Sequence, residues 1–293
     1  MFKYVIIKKV EQLSEKKISY LYTTANRIRE LIINSLLHAG SGHSAGPLGM
    51  ADIFSALYFH ILTHNPKNPT WDGRDYLVLS NGHICPVQYV SLALAGYFPI
   101  SELLKLRKID SRLQGHPHRG SLPGIETTSG PLGSGLSQSI GIALSLQLDK
   151  KKNHVYCVMS DGEHQEGNVW EAVMFAGKKK LSNLTAIIDR NNIQIDGFTE
   201  DVMPLESHRK KYEAFGWNVI DINGHNIEDF VYAVLEAQSV FEKPTVIIAH
   251  TIPGKGVQFM EKEYVWHGKV PNRKEAEEAI KEIRSLSMRI EHD

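Results

Sequence analysis

Five short runs of almost wholly apolar residues, each followed by a turn and then a longer amphipathic stretch, constrain this chain more than any other feature. They are Asp75–Ser80 (DYLVLS), Val155–Ser160 (VYCVMS), Thr185–Asp189 (TAIID), Asn218–Ile222 and Thr245–His250 (TVIIAH). A strand with one wet face alternates apolar and polar residues, so runs without alternation belong to strands covered on both sides. Helical spacing fills the intervals. Tyr20 to His38 places Leu21, Ile28, Leu31, Ile32 and Leu36 on one face, and further helices are expected near 50–62, 85–96, 135–149, 167–180, 205–215 and 226–240. The expected fold is therefore α/β, a parallel sheet with helices on both faces and right-handed crossovers. Residues 1–19 read as a charged N-terminal arm, 20–271 as the domain, and 272–293 as a C-terminal helix.

Charge and cysteine content narrow the function classes. The 33 Lys and Arg balance 33 Asp and Glu, which gives no support to nucleic-acid binding or to a polybasic membrane-surface mode. No apolar stretch approaches the roughly 20 residues of a membrane span, and the N-terminus lacks a signal-peptide cleavage site. Cys85 and Cys157 both lie in apolar runs, which reads as buried thiols in a reducing, cytoplasmic setting.

Parallel sheets bind ligands at the carboxyl ends of their strands, and the unusual residues of this chain cluster there. Asp161-Gly162 follows one apolar run, and Asn191-Asn192 follows the next, 30 residues after Asp161. One βαβ crossover takes about that length, so the two loops are expected side by side. A carboxylate, an amide oxygen and a loop carbonyl make a hard-oxygen site suited to Mg²⁺ or Ca²⁺, shared with phosphate oxygens. Gly162 admits a phosphate close to the backbone, and the following helix offers free N–H groups.

Histidine beside glycine is the second pattern: Gly42-His43, Gly82-His83, Gly115-His116, Gly224-His225 and His267-Gly268. Glycine allows a tight loop that aims the imidazole at a ligand close to the backbone, where it donates to phosphate or sugar oxygens and moves protons near neutral pH. Zinc is disfavoured as their purpose, since no His-Glu-x-x-His pair and no cysteine at ligand spacing occurs. Gly130-Pro-Leu-Gly133-Ser-Gly135, before an apolar helix, is a third candidate: a loop passing under a flat ligand.

Taken together these residues resemble the N-terminal half of transketolase, the diphosphate-binding domain of a thiamine diphosphate enzyme. The resemblance is carried by Ser41-Gly-His43-Ser-Ala-Gly-Pro-Leu-Gly-Met50, Leu79-Ser-Asn-Gly-His83, Gly115-His-Pro117, Pro123-Gly-Ile-Glu126, Gly130-Pro-Leu-Gly133, Ser160-Asp-Gly-Glu163 with Glu166-Gly167, Asp189-Arg-Asn-Asn192 and Trp266-His-Gly268. It implies Asp161, Asn191 and the Ile193 carbonyl as ligands of Mg²⁺ (or Ca²⁺ or Mn²⁺). It implies Gly162, Glu163, Asn191, His83 and His267 around the thiamine diphosphate tail, and Gly130 and Leu132 at its aminopyrimidine. His43, His83, His116 and His267 would be catalytic, with His43 and His116 beside the thiazolium and the donor sugar. Glu166 and Glu171 would lie at a subunit interface. The sequence departs from the family pattern at Ser160, at Ser44-Ala45 and at Asn81, where the family pattern has a lysine.

The family's second half, which holds the pyrimidine-binding domain and the grip on sugar phosphates, is not in this sequence. The resemblance therefore implies the N-terminal subunit of a split transketolase. Such a subunit would transfer a two-carbon ketol unit from a ketose to an aldose, sugar phosphates among them, and only with a C-terminal partner subunit, as an α₂β₂ assembly. The residues leave open a deoxyxylulose-phosphate synthase-like or 2-oxo acid dehydrogenase-like subunit, a split transketolase for an unusual sugar, and a non-catalytic protein that kept the fold.

Overall fold

The computed structural model describes residues 13–290, so most of the N-terminal arm lies outside the described residues. The first helix, α1 (Glu15–Ala39), begins five residues before the expected Tyr20. Ser14 caps it, its Oγ accepting from the Lys17 N–H at 3.3 Å, and an N-cap of this kind offsets one orphan donor. Gly40, with φ 70°, ends it, donating its N–H to the Leu36 carbonyl. In place of one helix over 50–62 stand α2 (Ala45–Gly49), α3 (Ala51–Ala56) and a π-helical turn over Leu57–Ile61. Helical spacing in sequence does not distinguish a straight helix from this broken one.

The remaining elements alternate as expected: β1 (Tyr76–Leu79), α4 (Cys85–Ala95), α5 (Ser134–Leu148), β2 (Val155–Ser160), α6 (Gly167–Lys179) and β3 (Leu184–Arg190). A small antiparallel hairpin of β4 (Ile193–Gln194) and β5 (Gly197–Phe198) follows, then α7 (Thr199–Val202), α8 (His208–Ala214), β6 (Asn218–Asn223), α9 (Ile227–Ser239), β7 (Thr245–His250) and α10 (Arg273–Ile290). The main sheet has five parallel strands in the order β1-β2-β3-β7-β6.

Both faces of this sheet are buried along β1, β2, β3 and β7, which is why those strands carry no polar alternation. The edge strand β6 is half-buried and exposes Asp221 and Asn223. Tyr156, Val158, Ile187 and Ile247 point into one core with α1, α3, α4 and α9. Val155, Cys157, Met159, Ala186 and Ile188 point into the other, with α5, α6, Tyr212 and Trp217. The helices α5, α6 and α8 that lead into β2, β3 and β6 lie on the second face, and the return from β6 to β7 places α9 on the first. That opposition is what right-handed crossovers require. Cys85 and Cys157 sit on opposite faces, both free and buried, and burial pushes each thiol well above its ordinary range. Helix α10 lies on α1, burying Ala276, Ala279 and Ile283 in the first core. No described helix is long and apolar enough to cross a membrane.

Candidate active site

Register brings the two expected loops together. Ser160, the last residue of β2, pairs with Asp189 of β3, so Asp161 and Asn191 leave adjacent strand ends. Asp161 is fully buried. Its Oδ2 accepts from Arg190 Nη1 at 2.9 Å, from the Asn192 N–H at 2.7 Å and from Thr199 Oγ1 at 3.5 Å. Its Oδ1 accepts only from the Gly162 N–H, at 2.7 Å. Burial pushes this carboxyl upward, against the pull of Arg190 and of the two backbone donors. Asn192 bends the second loop back, with φ 64° in the left-handed region.

Asn191 is held at both ends. Its Nδ2 donates to Asp189 Oδ2 at 2.8 Å, and its Oδ1 accepts from the Ile193 N–H at 3.0 Å. Asp189 also accepts from Thr251 Oγ1; burial, with the neighbouring Asp161 charge, pushes it up to about 7. Gln194, in the hairpin beyond, reaches over the first loop. A Cβ added at Gly162 would stand 3.0 Å from Gln194 Oε1.

A cavity of about 490 Å³ opens above these loops, lined among others by His43, His83, His116, His267, Gly130, Leu132, Gly162, Glu163, Glu166, Asn191 and Ile193. Asp161 is absent from its wall; it lies beneath, tied to residues that form the floor. Three imidazoles form a cluster, with ring centroids 5.1 Å apart for His43 and His83, 5.5 Å for His43 and His267, and 5.0 Å for His83 and His267. Burial first, and then neighbouring cationic groups, push His43 down to about 4 and His83 well below its ordinary value. His116 and His267 are lowered as well, chiefly by burial. Each shift favours the neutral ring, which offers one N–H and one lone pair. His43 Nδ1 is buried with no hydrogen-bond partner.

Glu163 lines the cavity beside Gly162. Its carboxylate accepts from Ser80 Oγ, from the Gly133 N–H at 2.5 Å and from the Ser160 N–H at 3.2 Å. Those bonds tie the Gly130–Gly133 loop to the ends of β1 and β2, so this side chain shapes the cavity wall with its oxygens already engaged. Glu171 is exposed on α6, and Glu166 is exposed at the cavity rim. The Gly224-His225 pair lies apart from the cavity. His225 Nε2 accepts the Ile252 N–H at 2.7 Å, which leaves Nδ1 to donate to Asp52 at 2.8 Å.

Two residues of the site carried no expected role. Arg190 is 3% exposed and bridges Asp161 to Glu200 and Glu206, each at 2.8 Å; its sequence signals were a cation closing an apolar strand and its place inside Asp189-Arg-Asn-Asn192. Asn81 is fully buried with both amide atoms unpartnered.

Comparison with known proteins agrees with this geometry. The family model described as transketolase, thiamine diphosphate binding domain, matches residues 22–286. The 6-deoxy-6-sulfo-D-fructose transketolase subunit SqwG of Clostridium sp. (strain MSTE9) is 43% identical over 255 residues, covering 87% of this chain and 92% of that protein. An apulose-4-phosphate transketolase subunit from Phocaeicola vulgatus is 38% identical over 277 residues, covering 94% and 98%. Among solved structures, transketolase from Campylobacter jejuni superposes with a TM-score of 0.86 at 34% identity, covering 93% of this chain and 46% of that one. The chain thus spans about half the length of that enzyme.

Proposed function

Since this chain belongs to the transketolase family and carries its thiamine diphosphate-binding domain, we propose that it is the N-terminal subunit of a split transketolase, transferring a two-carbon ketol unit from a ketose to an aldose together with a C-terminal partner subunit. The observation that carries this reading is the joint cavity: four imidazoles above two strand-end loops that clasp one buried carboxylate. Two relatives of matching length are themselves named as subunits, which supports the need for a partner. An α₂β₂ assembly, with Glu166 and Glu171 near subunit contacts, belongs to the same proposal. So does a cytoplasmic setting, which the two free buried thiols favour.

The residues present suit the cofactor. Gly162 lines the cavity without a side chain, and His43 Nδ1 is a buried polar atom without a partner at the cavity wall. Asp161 Oδ1 retains acceptor capacity, and with the Asn191 amide oxygen and the Ile193 carbonyl it makes an all-oxygen set of the kind Mg²⁺ takes, Ca²⁺ and Mn²⁺ being close substitutes. Gly162, His83 and His267 would hold the diphosphate, while Gly130 and Leu132 would touch the aminopyrimidine. Thiamine diphosphate, when bound, supplies a nucleophilic carbon and an electron sink. His43 and His116, both shifted toward the neutral form, would donate to the ketose hydroxyls and move the proton of the hydroxyl that becomes a carbonyl. Loss of one such contact typically costs ~10²–10⁴ in rate.

The test is reconstitution. The chain is assayed alone and mixed with a candidate pyrimidine-domain chain, using phosphorylated and sulfonated ketoses as donors and pyruvate as a control. Ketol transfer by the mixture and none by either chain supports the proposal. Full turnover by this chain alone, or activity only with pyruvate, contradicts it.

A further inference from the structure

Arg107 lies behind the histidine site, outside the cavity wall. It is exposed, and no carboxylate pairs with it among the described residues. Its backbone adopts φ 59°, a left-handed conformation that residues other than glycine seldom take. The Arg107 N–H donates to the Leu113 carbonyl at 2.8 Å, which closes the turn carrying it.

The side chain rests on two glycines. A Cβ built on Gly115 would stand 2.9, 3.1 and 3.2 Å from Cζ, Nη1 and Nε of Arg107, so the guanidinium lies across that peptide. A Cβ on Gly42 would stand 3.7 Å from Nη1. Gly115 has no left-handed φ to explain it; what the missing methyl provides there is room for the guanidinium. Leu36 Cδ2 stands nearer still to that Gly42 position, at 2.8 Å. Gly42 precedes His43 and Gly115 precedes His116, so a single side chain lies against one and beside the other of the loops that carry the proposed substrate imidazoles.

We propose that Arg107 is a positioning residue: seated across Gly115 and against Gly42, it fixes the spacing of the two Gly-His loops and holds an unpaired cation beside both imidazoles. The functional meaning of the clamp rests on the reading of His43 and His116 as substrate groups; the clamp itself does not. Charge supports the geometry. The groups facing His43 are His83, His116, His267 and Arg107, and Arg107 faces His116 too. A planar guanidinium can lie flat on a peptide where an ammonium cannot, so lysine keeps the charge and loses the seat.

Imidazole titration by NMR on the full chain, with ring-labelled histidine, tests this without cofactor, partner or substrate. Arg107→Gln is expected to raise the His43 and His116 midpoints by about half a pH unit, the effect of one unit charge at this range in a wet site. Arg107→Lys should raise them less. Gly115→Ala, whose methyl takes the guanidinium's seat, should shift His116 although the arginine remains. His154 and His164, buried elsewhere, should stay put and so report that each variant is folded. Midpoints of His43 and His116 unchanged in both Arg107→Gln and Gly115→Ala would overturn the proposal. Because no turnover is measured, a chain that proved unable to transfer ketol units would still reveal whether the clamp holds.

Discussion

Asp161→Asn separates the structural from the metal-binding role of the most deeply buried carboxylate in the site. The carboxylate is fully buried against an Arg190 that is itself 3% exposed. Removing one partner of a buried ion pair costs ~3–5 kcal/mol. Here Arg190 keeps Glu200 and Glu206 on its other nitrogen, so the loss should fall near the lower end, about 3 kcal/mol, read as a lower urea midpoint. Binding should respond with a different signature. Without Mg²⁺ the wild-type carboxylate repels a diphosphate; with Mg²⁺ that repulsion is offset. In Asp161→Asn the metal-free affinity for thiamine diphosphate should equal or exceed that of the wild type, while the gain on adding Mg²⁺ should shrink by ~10-fold or more, the scale on which lost metal-site contacts are felt. Isothermal titration with and without Mg²⁺, under conditions where the variant is folded, measures both. An unchanged Mg²⁺ gain would refute the reasoning, whatever happened to stability.

Glu163→Ala should destabilise the chain by about 3 kcal/mol, because it strands the Gly133 and Ser160 N–H groups and the Ser80 hydroxyl at ~1–3 kcal/mol for each buried orphan. Amide exchange should quicken at Gly133 first, and unchanged exchange there would show that the loop is held by other contacts. Acid should weaken the fold through His164 and His208, both pushed down to about 3, and His154, pushed down to about 4, chiefly by burial. Their folded values are depressed, so the stability they contribute is complete above the unfolded value near 6.5 and is lost as pH falls from there toward 4. Each ring costs ~1.4 kcal/mol per pH unit in that window. His43, pushed down to about 4, adds to this loss. Asp189, raised to about 7, works in the opposite direction and offsets about one ring, so the urea midpoint should be lower at pH 5 than at pH 6. Equal urea midpoints at the two pH values would contradict this.

The sheet was legible because both of its faces are covered. Val155–Ser160 and Thr245–His250 have the bounds their apolar runs predict, and β3 exceeds its run by one residue at each end. Strand order was not legible, since the insertion of β7 between β3 and β6 is decided by tertiary packing. Nor was the β4–β5 hairpin, whose strands of two residues leave no periodicity to read. Within the site, the glycine beside each histidine pointed to four of the cavity's rings but also to His225, which holds the Ile252 backbone instead. Glycine next to histidine signals a tight turn and does not say what fills it. Arg190 and Arg107 stayed hidden for a related reason: each acts through a contact made only when distant loops meet, and neither sits in a pattern with a spacing of its own.

The central claim is that the loops after β2 and β3 jointly cage a divalent ion on which a diphosphate is anchored. A crystal grown with thiamine diphosphate and Mn²⁺ in place of Mg²⁺ tests it most directly, through the anomalous signal of the metal. One peak is expected at roughly 2.1–2.2 Å from an Asp161 oxygen, the Asn191 amide oxygen and the Ile193 carbonyl, with diphosphate oxygens completing the shell. A peak elsewhere, or a diphosphate bound in the cavity with no ion touching Asp161, would contradict it.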